Sequence, residues 1–374
     1  MKNELQRMTG AEFPLFAFSH CRDVVAAVSR AGGFGVLGGS SFTPESLEVE
    51  LSWIDAHVDG RPYGIDILIP EHQSVAMETS TDDLVSKIPQ KHRDFVVKLL
   101  ADYNVKIDAD KTVNSRRPPT MHDVGEALMD VAFEHPVRLI ANALGLAPKS
   151  MIERGRHHGV PVAALVGAKE HALRQVAAGV DILVAQGGEA GGHCGEVSTL
   201  VLVPEVIKAI KPVSSAPVLA AGGIMTGGQM AGCMAMGAQG VWTGSVWLAT
   251  EEAETSPVFR QKMVEASSRD TVRSKARTGK PARQLRSPWH DAWEGAGSPG
   301  PLPMPLMAML STPPFIAIDR AAEAGNEKAR ELVSYFVGQG VGLVDQVRPA
   351  GAVVQSFKEE FAEAIGILVD VADE

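Results

Sequence analysis

Two stretches of the chain concentrate residues able to do chemistry: Gln186-Gly187-Gly188-Glu189-Ala190-Gly191-Gly192-His193 and Ala220-Ala221-Gly222-Gly223-Ile224. Each follows a short apolar run, Val180-Asp181-Ile182-Leu183-Val184-Ala185 before the first and Pro217-Val218-Leu219 before the second. A strand that ends in glycines lets backbone N–H groups approach an anion, because no Cβ stands in the way. Gly240-Val241-Trp242-Thr243-Gly244-Ser245 repeats the arrangement and ends on a hydroxyl. His193 is the sole histidine of the three loops. Together these residues read as a site for a phosphate-bearing cofactor with one imidazole beside it.

Strand, glycine turn and helix recurring about every 25 to 30 residues is the rhythm of an α/β barrel, whose phosphate sites commonly follow its seventh and eighth strands. Eight strand candidates run in order. The first five are Leu15-Phe16-Ala17-Phe18, Phe34-Gly35-Val36-Leu37, Gly64 to Ile69, Arg138 to Asn142 and Val162 to Val166. The last three carry the glycine loops, so His193 lies one strand ahead of the two phosphate candidates. These runs are nearly continuous in apolar residues, as buried parallel strands should be. The expected fold is therefore a TIM (β/α)8 barrel with an inserted small helical substrate or lid subdomain. Residues 1–250 are assigned to the barrel, with an insertion at 71–120. Residues 251–329 form the subdomain, and 330–374 return to the barrel. The insertion shows a helical pattern from His92 to Tyr103 and a basic exit, Arg116-Arg117-Pro118-Pro119. Near residues 301–316 a Met/Pro-rich stretch is expected to be broken by its prolines.

At 374 residues the chain exceeds a minimal barrel of about 250. A net charge of −10 argues against a broad nucleic-acid surface. Cys21, Cys194 and Cys233 are too few and too scattered for a disulfide framework or a zinc knuckle, which points to a reducing cytoplasm. The N-terminal residues lack the apolar core of a secretory signal, and no apolar run reaches the roughly 18 residues of a membrane span. No His/Cys/carboxylate set has metal-ligand spacing, so no metal is expected.

With these loops in hand, the sequence resembles the nitronate monooxygenase family, formerly called 2-nitropropane dioxygenases. These are FMN-dependent α/β barrels with a helical substrate domain. The likeness is strongest from Gly179 to Glu251. It recurs at Arg30 to Gly38, at Thr278-Gly279-Lys280-Pro281-Ala282-Arg283 and at Gly338-Gln339-Gly340-Val341-Gly342-Leu343. It implies that Gly222, Gly223, Gly244 and Ser245 hold the FMN phosphate and that Gln186 contacts the ring system. Gly191 and Gly192 would let their loop pass close by, Ala17 and Phe18 would lie against the isoalloxazine, and His193 would be the active-site histidine. The implied activity is oxidation of alkyl nitronates with O2. His193, with an ordinary pKa of about 6.5, would either take a proton alpha to a nitro group or stabilise the nitronate oxygens.

Two places depart from the family pattern. Phe16-Ala17-Phe18-Ser19-His20 stands where Gln-Ala-Pro-Met is common, and Asp66 stands where an asparagine often contacts the flavin. A carboxylate there would place negative charge near the ring, or would simply accept hydrogen bonds at a strand end. Structural roles are expected for His20, His157 and His158, and a spectator role for Cys194. The Trp289/Trp293 and Met304/Met307/Met309 region reads as packing. Arg277, Lys280 and Arg283 form either a charged face or a contact for an anionic substrate. The rival activities are an FMN-dependent enoyl-acyl-carrier-protein reductase using NAD(P)H and a specialised-pathway flavin oxidoreductase of the same fold. A homodimer is one assembly compatible with the sequence, with the 71–120 insertion covering the site or building a subunit contact.

Overall fold

The computed structural model describes residues 2–69, 80–108, 111–114 and 122–373. Its strands are β1 Leu15–Ser19, β2 Phe34–Gly38, β3 Tyr63–Asp66, β4 Ile140–Asn142, β5 Val162–Val166, β6 Ile182–Gln186, β7 Gly192–His193, β8 Val218–Ala221, β9 Gly240–Thr243, β10 Thr271–Ser274 and β11 Ala282–Leu285. Eight of them, β1 to β6 with β8 and β9, close into a parallel barrel. Closure pairs β9 with β1 through Leu15 and Val241. The eight strands anticipated from the sequence are these eight. The two-residue β7 leaves the barrel and pairs antiparallel with β11, which pairs in turn with β10.

Strand residues alternate between two apolar environments, which is why the strands read as unbroken hydrophobic runs. Phe16, Phe34, Val184, Leu219 and Trp242 fill the barrel interior. Leu15, Ala17, Leu37, Ile65, Ala185 and Val241 face the surrounding helices. Inside, the Phe16 ring lies 4.6 Å from Phe34 and is stacked on Trp242 at 6.3 Å. The helix Glu4–Thr9 contributes Leu5 to this inner core, and Asn3 both caps that helix and donates 2.7 Å to the Gln239 carbonyl. The interior is thus packed and plugged at its N-terminal end, which leaves chemistry to the C-terminal mouth.

A second apolar core runs from Leu84 to Val341 and unites the segment after β3 with the segment after β9. The helix Gln90–Asp102 gives it Val96, Leu99 and Leu100, and the later chain gives it Trp289, Trp293, Met307, Met309 and Phe315. Here the Trp and Met residues act as packing. The Met/Pro-rich stretch departs from expectation: from Leu306 to Glu323 it is helical, straight through Pro313 and Pro314. Pro313 removes the N–H that would have bonded the Met309 carbonyl, and that carbonyl instead accepts the Asn114 N–H at 2.8 Å. The Arg116-Arg117-Pro118-Pro119 exit lies outside the described residues. Among the described residues no helix is long and apolar enough to cross a membrane.

The helix Ala350–Asp373 completes the outer ring by lying along the helix Gly227–Ala235. The two backbones approach so closely at Gly227 that a Cβ there would land on the Phe357 carbonyl and within 2.6 Å of the Phe361 nitrogen. Gly227→Ala should therefore cost about 1–3 kcal/mol through overpacking. Gly228→Ala, whose added methyl would meet only Thr226 Oγ1 at 3.9 Å, should be neutral or stabilising. Thermal denaturation of the two variants side by side checks this, and equal midpoints would contradict it.

Candidate active site at the barrel mouth

Beyond β8 the backbone enters the left-handed region twice in succession, at Gly222 (φ +107°) and Gly223 (φ +71°). Beyond β9, Gly244 leads into the 3-10 turn Ser245–Ala249, and a Cβ at Gly244 would meet nothing within 4 Å. The open space and exposed amides at these neighbouring strand ends suit a phosphate. The third wall is Gly338-Gln339-Gly340. The Gly338 N–H donates 2.8 Å to Ser245 Oγ, which leaves the Ser245 proton free to be donated elsewhere. Gln339 N–H donates 2.9 Å to the Glu189 carbonyl. Cβ atoms at Gly338 and Gly340 would crowd the carbonyls of Glu189 (2.6 Å) and Gly223 (2.9 Å). This tripeptide entered the sequence analysis only through the family likeness. Its glycine spacing is the mark of loops pressed together.

The loop after β6 is held by Glu189. Its carboxylate accepts the Thr199 N–H (2.9 Å) and hydroxyl (3.0 Å) at the N-terminus of the helix Thr199–Ile210, where helix polarity favours an anion. Thr199 Oγ1 also lies 3.1 Å from the Ala221 carbonyl and 2.9 Å from that of Gly222. One threonine thus joins the β6 loop to the β8 loop.

Strand alternation turns Phe18, Asp66, Gln186 and Trp242 inward at the mouth. Phe18 and Trp242 stack at 6.3 Å. Ala17, named with Phe18 as a ring contact, points its methyl into the outer core instead, so the structure does not bring that side chain to the mouth. His20 donates through Nδ1–H to the Gly38 carbonyl at 3.0 Å, and burial lowers its pKa. Asp66 sits in register between Gly38 of β2 and Ala141 of β4. It is 4% exposed, and its Oδ1 has no hydrogen-bond partner. Burial pushes this carboxyl up to about 7, against the opposing pull of the Ala143 N–H. The negative charge expected here is therefore only partly developed at neutral pH and is suppressed below it.

His193 is carried out of the barrel by β7 and set opposite Ala282 of β11. Gly192 supplies a positive φ of 74°, and Gly191 presses against the Val337–Gly338 backbone. His193 Nε2 lies 2.9 Å from Thr278 Oγ1. The Thr278 hydroxyl spends its single proton on the Lys280 carbonyl at 3.0 Å, so Nε2 must be the donor toward Thr278. The neutral imidazole accordingly keeps its lone pair on Nδ1. Although His193 is exposed at the surface, the protein packed around its ring, then the Lys280 ammonium, lowers its pKa. Gln186 and His193 line one cavity of about 370 Å³, together with Ala143, Cys194, Arg273 and Lys280. Burial raises the Cys194 thiol against the pull of Arg283 and Arg273, which fits a spectator better than a nucleophile.

The three cations near this site separate. Arg277 is partly buried, its guanidinium 4.0 Å above Phe315 and 4.8 Å from Phe336, and it donates 2.8 Å to the Ser334 carbonyl. Arg283 is committed to the Gly188 carbonyl through Nη2 (2.8 Å) and Nε (3.1 Å). Lys280 alone of the three lines the cavity.

A closed parallel barrel with a glycine-walled cradle and an imidazole at its mouth defines an α/β-barrel enzyme. A sequence profile described as nitronate monooxygenase matches residues 19–360. Rv1533 of Mycobacterium tuberculosis, whose name makes it a candidate monooxygenase, is 51% identical over 98% of each chain. The nitroalkane oxidase of Streptomyces ansochromogenes superposes with a TM-score of 0.78 at 27% identity, over 98% of this chain and 100% of that one. FabK of Thermotoga maritima gives 0.71 at 26% identity over 99% of both. The chain belongs to the nitronate monooxygenase family and is an oxidoreductase.

If Thr278 fixes the histidine tautomer, Thr278→Val should release it. Nitrogen NMR of the His193 ring should move from a single Nε2–H form toward a mixture, with Thr278→Ser retaining the original pattern. An unchanged spectrum in the valine variant would remove Thr278 from this role.

Proposed function

We propose that the protein binds FMN at the barrel mouth and oxidises alkyl nitronates with O2. The observation that carries this reading is the cavity shared by Gln186 and His193, together with the positive-φ turn of Gly222 and Gly223 and the open space at Gly244 on the ends of β8 and β9. The cradle amides and the Ser245 hydroxyl would hold the phosphate. Phe18, Asp66 and Gln186 would meet the ring system, and Gly191 and Gly192 would let the His193 loop lie close to it. FMN, when bound, supplies the electron acceptor that oxidises the carbon acid and is then reoxidised by O2.

The work of this chain's own residues is positional and protolytic. His193 Nδ1 accepts the proton alpha to a nitro group, while Nε2–H stays anchored on Thr278. Lys280, on the same cavity wall, balances the anion that results. Because burial and Lys280 depress the His193 pKa, the base form predominates at neutral pH. Turnover of a neutral nitroalkane should therefore hold as pH falls through the ordinary histidine range and decline only below it. A decline centred at or above about 6.5, the usual histidine value, would contradict this.

The test begins with the visible spectrum of the purified protein and anaerobic titration with propyl nitronate, which should bleach the flavin band. His193→Asn should keep FMN and lose about 10²- to 10⁴-fold in turnover of the nitroalkane. Gly244→Ala should fold normally, since nothing in the protein opposes the methyl, yet bind FMN at least about tenfold more weakly. Full activity in the first variant, or full FMN affinity in the second, would overturn the corresponding assignment. The likeness to FabK favours a second reading, in which NAD(P)H reduces the flavin and a C=C bond receives the hydride. Rapid anaerobic bleaching by NADPH but not by nitronate would select it.

A further inference from the structure

We infer that Asp66 is a cofactor contact that works as a carboxylic acid, its Oδ1 carrying a proton donated to an acceptor on the flavin ring; this rests on the FMN reading above. Asp66 closes β3 on the inward-facing row, between Gly38 and Ala141, and is 4% exposed. A buried polar oxygen without a hydrogen-bond partner is costly to keep and calls for a reason of its own. Oδ1 is such an atom, and it sits at the mouth. Ala143, whose N–H reaches this carboxyl, also lines the cavity shared by Gln186 and His193. The orphan oxygen therefore belongs to the region where the ring would lie.

The protonation state follows from the neighbours. β2 and the turn after it bring Gly38 and Gly39 against β3, and β4 brings Ala141. The next titratable group is His20, which packs on Gly38, spends Nδ1 on its carbonyl and is held toward neutrality by burial. Among the described residues no cation offsets a charge on Asp66, and burial is the dominant influence on its ionisation. An acid so placed is a donor below about 7 and an acceptor-only anion above it. An asparagine amide would offer the same N–H-type donation at every pH. The chain has thus exchanged a permanent donor for a switchable one, and flavin affinity should fall as Asp66 ionises.

The experiment compares FMN dissociation constants of the wild-type apoprotein and Asp66→Asn by flavin fluorescence, from about pH 5.5 to about pH 8.5. Ionisation of the FMN phosphate is common to both proteins and cancels in their ratio. The wild-type constant should rise by about tenfold or more relative to the variant across this range, with the two similar at the acid end. A ratio independent of pH overturns the inference alone. FMN binding by neither protein overturns the cofactor reading and the inference together. Infrared difference spectra of FMN binding to the wild-type protein, which need no variant, should show a perturbed protonated-carboxyl stretch at neutral pH. Absence of that band likewise overturns the inference.

Discussion

The Glu189 carboxylate on the first turn of the helix Thr199–Ile210 is the tie on which the mouth of the barrel depends. It satisfies the Thr199 N–H, a donor at a helix N-terminus that would otherwise be orphaned, and it does so from the loop that carries His193. The same Thr199 hydroxyl reaches the carbonyls of Ala221 and Gly222, and the Glu189 carbonyl accepts the Gln339 N–H. Three loops far apart in the chain are joined within the reach of two side chains. The glycines follow from this convergence. At Gly187, Gly191, Gly222, Gly338 and Gly340 an added methyl would strike a neighbouring backbone or the Thr199 hydroxyl, while at Gly244 and Gly192 it would enter open space. The first group builds the walls; the second leaves room for an occupant.

The second core is tied directly to the barrel's loops. By pairing β11 with β7 it converts two residues of a barrel loop into the edge of its own sheet. Thr278, which orients the imidazole, precedes that same strand, and Arg283 within it grips the Gly188 carbonyl. The position of His193 is therefore set by the second core as much as by the barrel. A shift between the two units would move the base relative to Gln186, and because Val337 and Val341 of the second core flank the Gly338–Gly340 wall, it would move that wall of the cradle as well.

How much of this was legible in the sequence depends on the range of the contacts. The barrel strands were, because burial on both faces leaves an unbroken apolar run in each. Glycine turns and the terminal serine were legible for a similarly local reason. The union of residues 84–105 with the later segment into one core was not, since neither segment carries a pattern that names its partner. Arg277 read as either a charged face or a contact for an anionic substrate because it stands in a charged run; only the assembled rings of Phe315, Tyr335 and Phe336 show what its guanidinium packs against. Ala17 was grouped with Phe18 by proximity in the chain, though strand alternation sends the two side chains to opposite faces. Pro313 read as a helix breaker because the substitute donor, Asn114, comes from about two hundred residues earlier in the chain.

The electrostatics of the mouth follow from the same packing. Asp66 is pushed toward its acid, His20 and His193 toward neutral imidazole, and Cys194 toward its thiol, each with burial as the leading cause. A site made neutral in this way has a low local dielectric, in which the few remaining dipoles and charges act strongly. Those that remain favour anions: amides at the ends of β8 and β9, and Lys280 on the cavity wall. The carboxylate beside the cradle, Glu189, is occupied by the Thr199 N–H at a helix N-terminus. The substitution of Asp66 for an amide is compatible with such a mouth only because burial keeps its charge in check. The packing that excludes water from the strand ends is thus also what permits an acid to stand there.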